Sequence, residues 1–333
     1  MMKSVRYHGI RDVRFEMVEK PVPAADEVLI RIAYAGICGS DLHIYNKGMF
    51  IENIPEVMGH EFAGYVEEAG ADIKNFKPGD PVVGNPMVTC GQCPGCKAGL
   101  PNTCGSLAFI GEVCQGCFTE YITMKEDKLI RLKPGADMKQ AALTEPLAVA
   151  LNICETAQLT EQDSIAIIGA GPIGLLTTLA AKELYKVDSV TVVGRSELRM
   201  ELAKKLGADK TVASLEEGLR YDKIIEAAGK EATLRQAVSH AAPCGSIYVV
   251  SIFEESFDMD INAIVASQLR LIGCNAYEKR HLQQAADILS DGKLDVSPII
   301  TDVVPFEACS EAFGELNKRN KRQAKILFEA DFK

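Results

Sequence analysis

Between Ser164 and Tyr185 an apolar run is cut by glycines at a spacing that few folds can use. Ser164-Ile165-Ala166-Ile167-Ile168 reads as a strand buried on both faces, as strands in parallel sheets are. It runs directly into Gly169-Ala170-Gly171-Pro172-Ile173-Gly174, where an apolar helix opens that ends near Tyr185. In that strand–turn–helix context the first glycine makes the turn and the second lets the backbone approach a pyrophosphate. The third packs helix on strand, and the helix N-terminus offers N–H donors to phosphate. The expectation is dinucleotide binding, with Gly169, Gly171, Pro172, Ile173 and Gly174 as contact residues.

The next buried run, Ser189-Val190-Thr191-Val192-Val193, ends at Gly194-Arg195-Ser196, with Gly194 twenty residues beyond Gly174. A site selective for NAD places an acid there to accept from the ribose 2′-hydroxyl. With glycine instead, nothing repels a 2′-phosphate, and Arg195, Ser196 and Arg199 can hold one. NADP(H) is favoured as cofactor; NAD(H) is possible, with the arginine stacked on adenine. Alternation continues with a helix over 197–206, strands over 209–213 and 222–226, a helix over 230–241, and strands over 246–250 and 270–274. This is the pattern of an α/β doubly wound parallel sheet, a Rossmann domain, inserted at 150–275. The link from Val212 to Asp222 is short for a crossover helix. Helices over 280–290 and 306–318 and a strand over 324–329 then return the chain, as 276–333, to the domain begun by 1–149.

That first segment is β-rich. Short alternating runs such as Val28-Leu29-Ile30-Arg31-Ile32-Ala33-Tyr34 are separated by turn signals such as Lys77-Pro78-Gly79-Asp80. It carries two metal-like constellations, expected on its long loops. Cys90, Cys93, Cys96 and Cys104 put four thiols within fifteen residues, interleaved with glycine and proline. A set of this kind closes around one structural Zn²⁺ and leaves no place for substrate. Cys38, His60 and Glu61 offer a thiol, an imidazole and a carboxylate, which suit a catalytic Zn²⁺ with its fourth position open. Glu145, just before Pro146 at a helix start, is either a cap or a further zinc ligand. Ser40 and His43 follow Cys38 closely enough to relay a proton toward solvent; a Ser-Asp helix cap beside an exposed histidine is the alternative. Cys114 and Cys117 read as incidental, and Cys154, Cys244, Cys274 and Cys309 as small core residues.

A chain of 333 residues with net charge −10 does not suit nucleic acid or an anionic membrane surface, whose footprint would be basic. The most apolar stretch is interrupted by glycine and proline, so no membrane span is expected. Eleven cysteines without a visible export signal point to metal or thiol chemistry in the cytoplasm.

Taken in order, Cys38-Gly39-Ser40-Asp41, Gly59-His60-Glu61, the four-cysteine lobe, Glu145-Pro146-Leu147 and the Gly169–Gly174 turn resemble the zinc-dependent medium-chain dehydrogenase/reductase family. The resemblance is closer to its polyol (sorbitol) dehydrogenase-like branch, and it covers nearly the whole chain. It implies a GroES-like β domain with an inserted Rossmann domain, assembled as a homodimer or homotetramer. It also implies Cys38 and His60 as zinc ligands, and Glu61 and Glu145 alternating between ligation and holding a zinc-bound water. Ser40 and His43 match the family's proton relay. Two positions depart from the branch: Gly194 replaces an acid, and Ala276 stands where several relatives have a substrate-binding arginine. The expected activity is hydride transfer between a nicotinamide cofactor and a secondary alcohol or ketone, a polyol, sugar alcohol or its phosphate. A zinc-independent quinone or enone reductase and a non-enzymatic nucleotide sensor are the rivals on the same scaffold.

Overall fold

The computed structural model describes residues 1–318 and 322–330; the rest of the returning segment, 319–321 and 331–333, lies outside the described residues. The chain forms two compact units, Met1–Glu145 with Glu278–Lys333, and Pro146–Tyr277.

The first unit is built on a mixed sheet. In order across it lie Leu129–Arg131, Pro81–Gly84, Glu61–Ala69, Glu27–Gly36, Lys325–Glu329 and Ile300–Pro305, with Tyr121–Lys125 also pairing Glu27–Gly36. Met2–Gly9, Asp12–Val18 and Glu56–Val57 form a smaller antiparallel sheet. The returning segment completes this unit's core. Phe328 packs edge-on against Phe118 at 5.0 Å, and Phe306 and Phe313 join the same aromatic cluster. Buried aromatics carry a large apolar area each, which anchors the returning strand beside Glu27–Gly36.

The second unit is a six-stranded, all-parallel sheet in the order Lys210–Val212, Ser189–Val193, Ser164–Ile168, Tyr221–Glu226, Ala241–Val249, Arg270–Gly273. The order reverses between Ser164–Ile168 and Tyr221–Glu226, the arrangement of a Rossmann sheet. The fold class is therefore the expected α/β one. Val212 and Tyr221 are joined without a helix. The strand expected at 246–250 begins earlier, at Ala241. A register shift between Tyr221 and Lys223 lets it do so, with Cys244 at φ +62 in the extra segment. Cys244 is thereby exposed and not a core residue. Among the described residues, no helix is long and apolar enough to cross a membrane.

Candidate active site

The catalytic-metal candidates sit at the ends of elements, not on the long loops expected. Cys38 is the N-cap of helix Gly39–Lys47, His60 directly precedes strand Glu61–Ala69, and Glu61 opens it. Two residues before Cys38, Gly36 ends strand Glu27–Gly36 and pairs with Glu61 across the ladder. The sulfur, a ring nitrogen and a carboxylate oxygen of Cys38, His60 and Glu61 come within 4.8 Å of one another. His60 and Glu61 are buried and Cys38 is half-buried. Glu145 is buried too; it lies outside that trio but close enough to act electrostatically on His60.

The electrostatics are those of an anionic pocket. Burial opposes a charged imidazole, yet Cys38, Asp41 and Glu145 hold His60 well above its ordinary value. A field that retains a proton on a buried histidine also favours a divalent cation, because the two compete for the same donors. Thiolate, imidazole and carboxylate form the donor set of open zinc sites, so the residues fit that metal.

The trio is backed by one group close in the chain, Asp41, and one far from it, Lys325. Asp41 accepts the Cys38 backbone N–H at 2.8 Å, the third-residue half of a capping box. Its other oxygen lies 4.0 Å from His60 Nδ1, and burial pushes this carboxyl up to about 6 against the pull of His60. Lys325 Nζ donates to both Glu61 oxygens, at 2.8 and 2.6 Å, and to the Ile37 carbonyl at 3.0 Å. Strands Glu61–Ala69 and Lys325–Glu329 flank Glu27–Gly36 on opposite sides, so this ion pair bridges over the middle strand. Gly36 makes the room: a Cβ there would stand 2.4 Å from Glu61 Oε2. Burial alone would lower the Lys325 ammonium, but Glu61 and Cys38 hold it above its ordinary value. Ser40 and His43 lie one turn apart on helix Gly39–Lys47, both half-buried.

Cys90, Cys93, Cys96 and Cys104 form the second cluster, again with ligand atoms within 4.8 Å. Cys104 Sγ accepts from the N–H groups of Cys90 and Ser106, both at 3.4 Å. Backbone N–H groups of Cys96 and Gly105 lower the Cys93 thiol to about 6, while burial and its sulfur neighbours push Cys96 up to about 11. Donors aimed at sulfur stabilise thiolates, the form that binds zinc. Cys114 and Cys117 fall outside both clusters, and burial raises both thiols.

In the second unit, helix Pro172–Glu183 starts from Gly171 as N-cap. A Cβ on Gly174 would stand 1.9 Å from the Gly169 carbonyl, so that glycine is demanded by packing. A Cβ on Gly171 would meet nothing within 4 Å. The chain's own packing gives no reason for glycine there. Beyond the next strand, Arg195 is exposed, Ser196 caps helix Glu197–Lys205, and burial lowers Arg199 to about 10. Gly194 has a packing reason as well, since a Cβ would lie 2.9 Å from that of Ala170 and 2.6 Å from Met200 Sδ.

Residues 24–134 match the alcohol dehydrogenase GroES-like domain family, and 138–326 the glucose dehydrogenase C-terminus family. The starvation-sensing protein RspB of Escherichia coli K12 is 30% identical over 98% of each chain. Sorbitol dehydrogenase of Bacillus subtilis is 31% identical over 93% of this chain and 92% of that one. The crystal structure of galactitol-1-phosphate dehydrogenase from Escherichia coli superposes with a TM-score of 0.90 at 31% identity, covering 99% of this chain and 100% of that one. This chain belongs to the medium-chain alcohol dehydrogenase family. Within that family it falls in the polyol dehydrogenase-like branch, and it is an oxidoreductase.

Two residues of this dehydrogenase's site escaped the sequence reading as site residues. Asp41 was legible only as part of a cap. Lys325, a single charge in Ala324-Lys325-Ile326-Leu327-Phe328, carried the one usable signal: a lysine in a buried strand needs a partner.

Proposed function

We propose that this dehydrogenase oxidises a secondary alcohol of a polyol, sugar alcohol or its phosphate to the ketone, reversibly, with NADP(H) favoured and NAD(H) possible. The observation that carries the reading is the buried convergence of Cys38, His60 and Glu61 in an anionic pocket. Together with Glu145 they would hold a catalytic zinc, and Cys90, Cys93, Cys96 and Cys104 a structural one. Bound zinc supplies Lewis acidity at the carbinol oxygen, and bound nicotinamide supplies a hydride acceptor.

The chain's own residues do the rest. Asp41 and Lys325 fix Cys38, His60 and Glu61 from behind, so that donor positions are set before substrate arrives. Ser40 Oγ would take the substrate hydroxyl proton as it gives its own toward His43, whose ring in turn releases a proton outward to solvent. Gly169, Gly171, Pro172, Ile173 and Gly174 would hold the pyrophosphate of the dinucleotide, and Arg195, Ser196 and Arg199, beside the small Gly194, would hold a 2′-phosphate. The chain acts as a homodimer or homotetramer on small molecules, without nucleic acid or membrane. All eleven cysteines are free, which suits the cytoplasm.

The test is His60→Ala, with metal counted by mass spectrometry and turnover followed by nicotinamide absorbance on a panel of polyols and sugar phosphates. The expected result is one zinc per chain instead of two, turnover reduced by at least a thousandfold, and dinucleotide affinity within threefold. Unchanged turnover in the variant would sink the zinc assignment. The same panel run with NADP⁺ and NAD⁺ decides the cofactor.

A further inference from the structure

Glu226 is the last residue of strand Tyr221–Glu226 and is fully buried. It lies opposite Ile168, the residue before the Gly169 turn. One of its carboxylate oxygens takes everything: the N–H groups of Ala228 and Gly229, each at 3.0 Å, and the Thr233 hydroxyl at 2.8 Å. The other oxygen is buried without a partner among the described residues. Desolvating a carboxylate is costly, and an apolar side chain of like size serves packing as well or better. Packing therefore does not account for this acid.

Its hydrogen bonds point to another role. They fold residues 227–229 into a tight turn at the carboxyl ends of the two strands where the sheet order reverses. Ligands of open α/β sheets bind in that crevice. The turn is wedged from both sides. Ala227 N donates to the Ile168 carbonyl at 2.8 Å, and a Cβ on Gly169 would stand 2.6 Å from the Ala227 carbonyl. On the far side, a Cβ on Gly229 would stand 2.5 Å from the Ile252 carbonyl. The backbone carbonyl of Glu226 meanwhile accepts Val250 N and the Ser251 hydroxyl, tying in the next loop.

We infer that Glu226 is a positioning residue for the dinucleotide: its carboxylate holds the Ala227–Gly229 turn against the glycine-rich turn and so sets cofactor affinity without touching the reacting atoms. This rests on the dinucleotide reading above. The acceptor oxygen is the operative group, so glutamine replaces it and methionine, of similar reach, does not.

The experiment measures dissociation constants for NADP⁺ and NAD⁺ by calorimetry on the wild type, Glu226→Gln, Glu226→Met and Thr233→Val. Circular dichroism checks folding, and the KM for alcohol is taken at saturating cofactor. Glu226→Met should raise the constant for the preferred dinucleotide at least tenfold, leave the alcohol KM within twofold and speed amide exchange in the 227–229 turn. Glu226→Gln should stay within threefold of wild type, and Thr233→Val should weaken binding about threefold. Should Glu226→Met not fold, the Gln and Val variants decide. A folded Glu226→Met with wild-type affinity overturns the inference, as does a Glu226→Gln as weak as Glu226→Met or a Thr233→Val with wild-type affinity. A wild type that binds neither dinucleotide removes the underlying reading instead, and the inference with it.

Discussion

The Lys325–Glu61 pair is a costly arrangement of single residues, since both side chains are essentially solvent-free. Two charges taken out of water gain from each other only when geometry is good and remaining groups are bonded. Here the ammonium reaches three acceptors, two on Glu61 and one on Ile37. Removing one partner exposes the asymmetry of such pairs: Lys325→Met leaves the Glu61 carboxylate buried among Cys38 and His60, at a cost of about 3–5 kcal/mol. Urea denaturation of the purified enzyme should read that loss, and Lys325→Met combined with Glu61→Gln should recover part of it. A single-variant loss below about 1 kcal/mol, the range of exposed pairs, would show that solvent reaches the pair.

At the scale of elements, the second and third glycines of the glycine-rich turn, Gly171 and Gly174, should separate binding from folding. Gly174→Ala forces a Cβ onto the Gly169 carbonyl, and backbone cannot step aside as a flexible side chain does. The variant should lose about 1–3 kcal/mol or more of stability. Gly171→Ala enters open space with an ordinary φ of −77, so its stability cost should stay below about 1 kcal/mol, an N-cap effect. Its dinucleotide affinity should fall at least tenfold, read by the same calorimetry. If Gly171→Ala binds as wild type does, the phosphate does not approach at that residue. This contrast also marks what the sequence could carry. Strand–turn–helix spacing is local, and the parallel sheet is legible from it strand by strand. The early start of strand Ala241–Val249 is not, because it depends on a register shift against a neighbouring strand. Nor is Lys325 against Glu61, 264 positions apart, which only the order of strands brings together. Ligand chemistry can be named from residue types; what stands behind the ligands is a property of the sheet.

For the molecule as a whole, both candidate metal-binding clusters lie in the first unit, at positions 38–61 and 90–104, and the glycine-rich turn lies in the second. The second unit has its own apolar core, formed by residues such as Ile168, Ile224, Leu234 and Ile247. Nothing in that core depends on a metal-ligand residue. The four-cysteine lobe is different: its residues are half-exposed or exposed apart from Cys104, so little apolar burial holds it, and metal would be its chief cross-link. Cys96→Ser should therefore remove one zinc per chain and make the 90–104 segment sensitive to protease, while dinucleotide affinity stays within threefold. Full stripping by a chelator should abolish turnover with the same retention of binding. Re-addition of zinc to stripped wild type should restore turnover, whereas in Cys96→Ser it should leave the segment cleavable. If stripping instead abolished dinucleotide binding, the second unit would not be the self-contained cofactor carrier that its core implies.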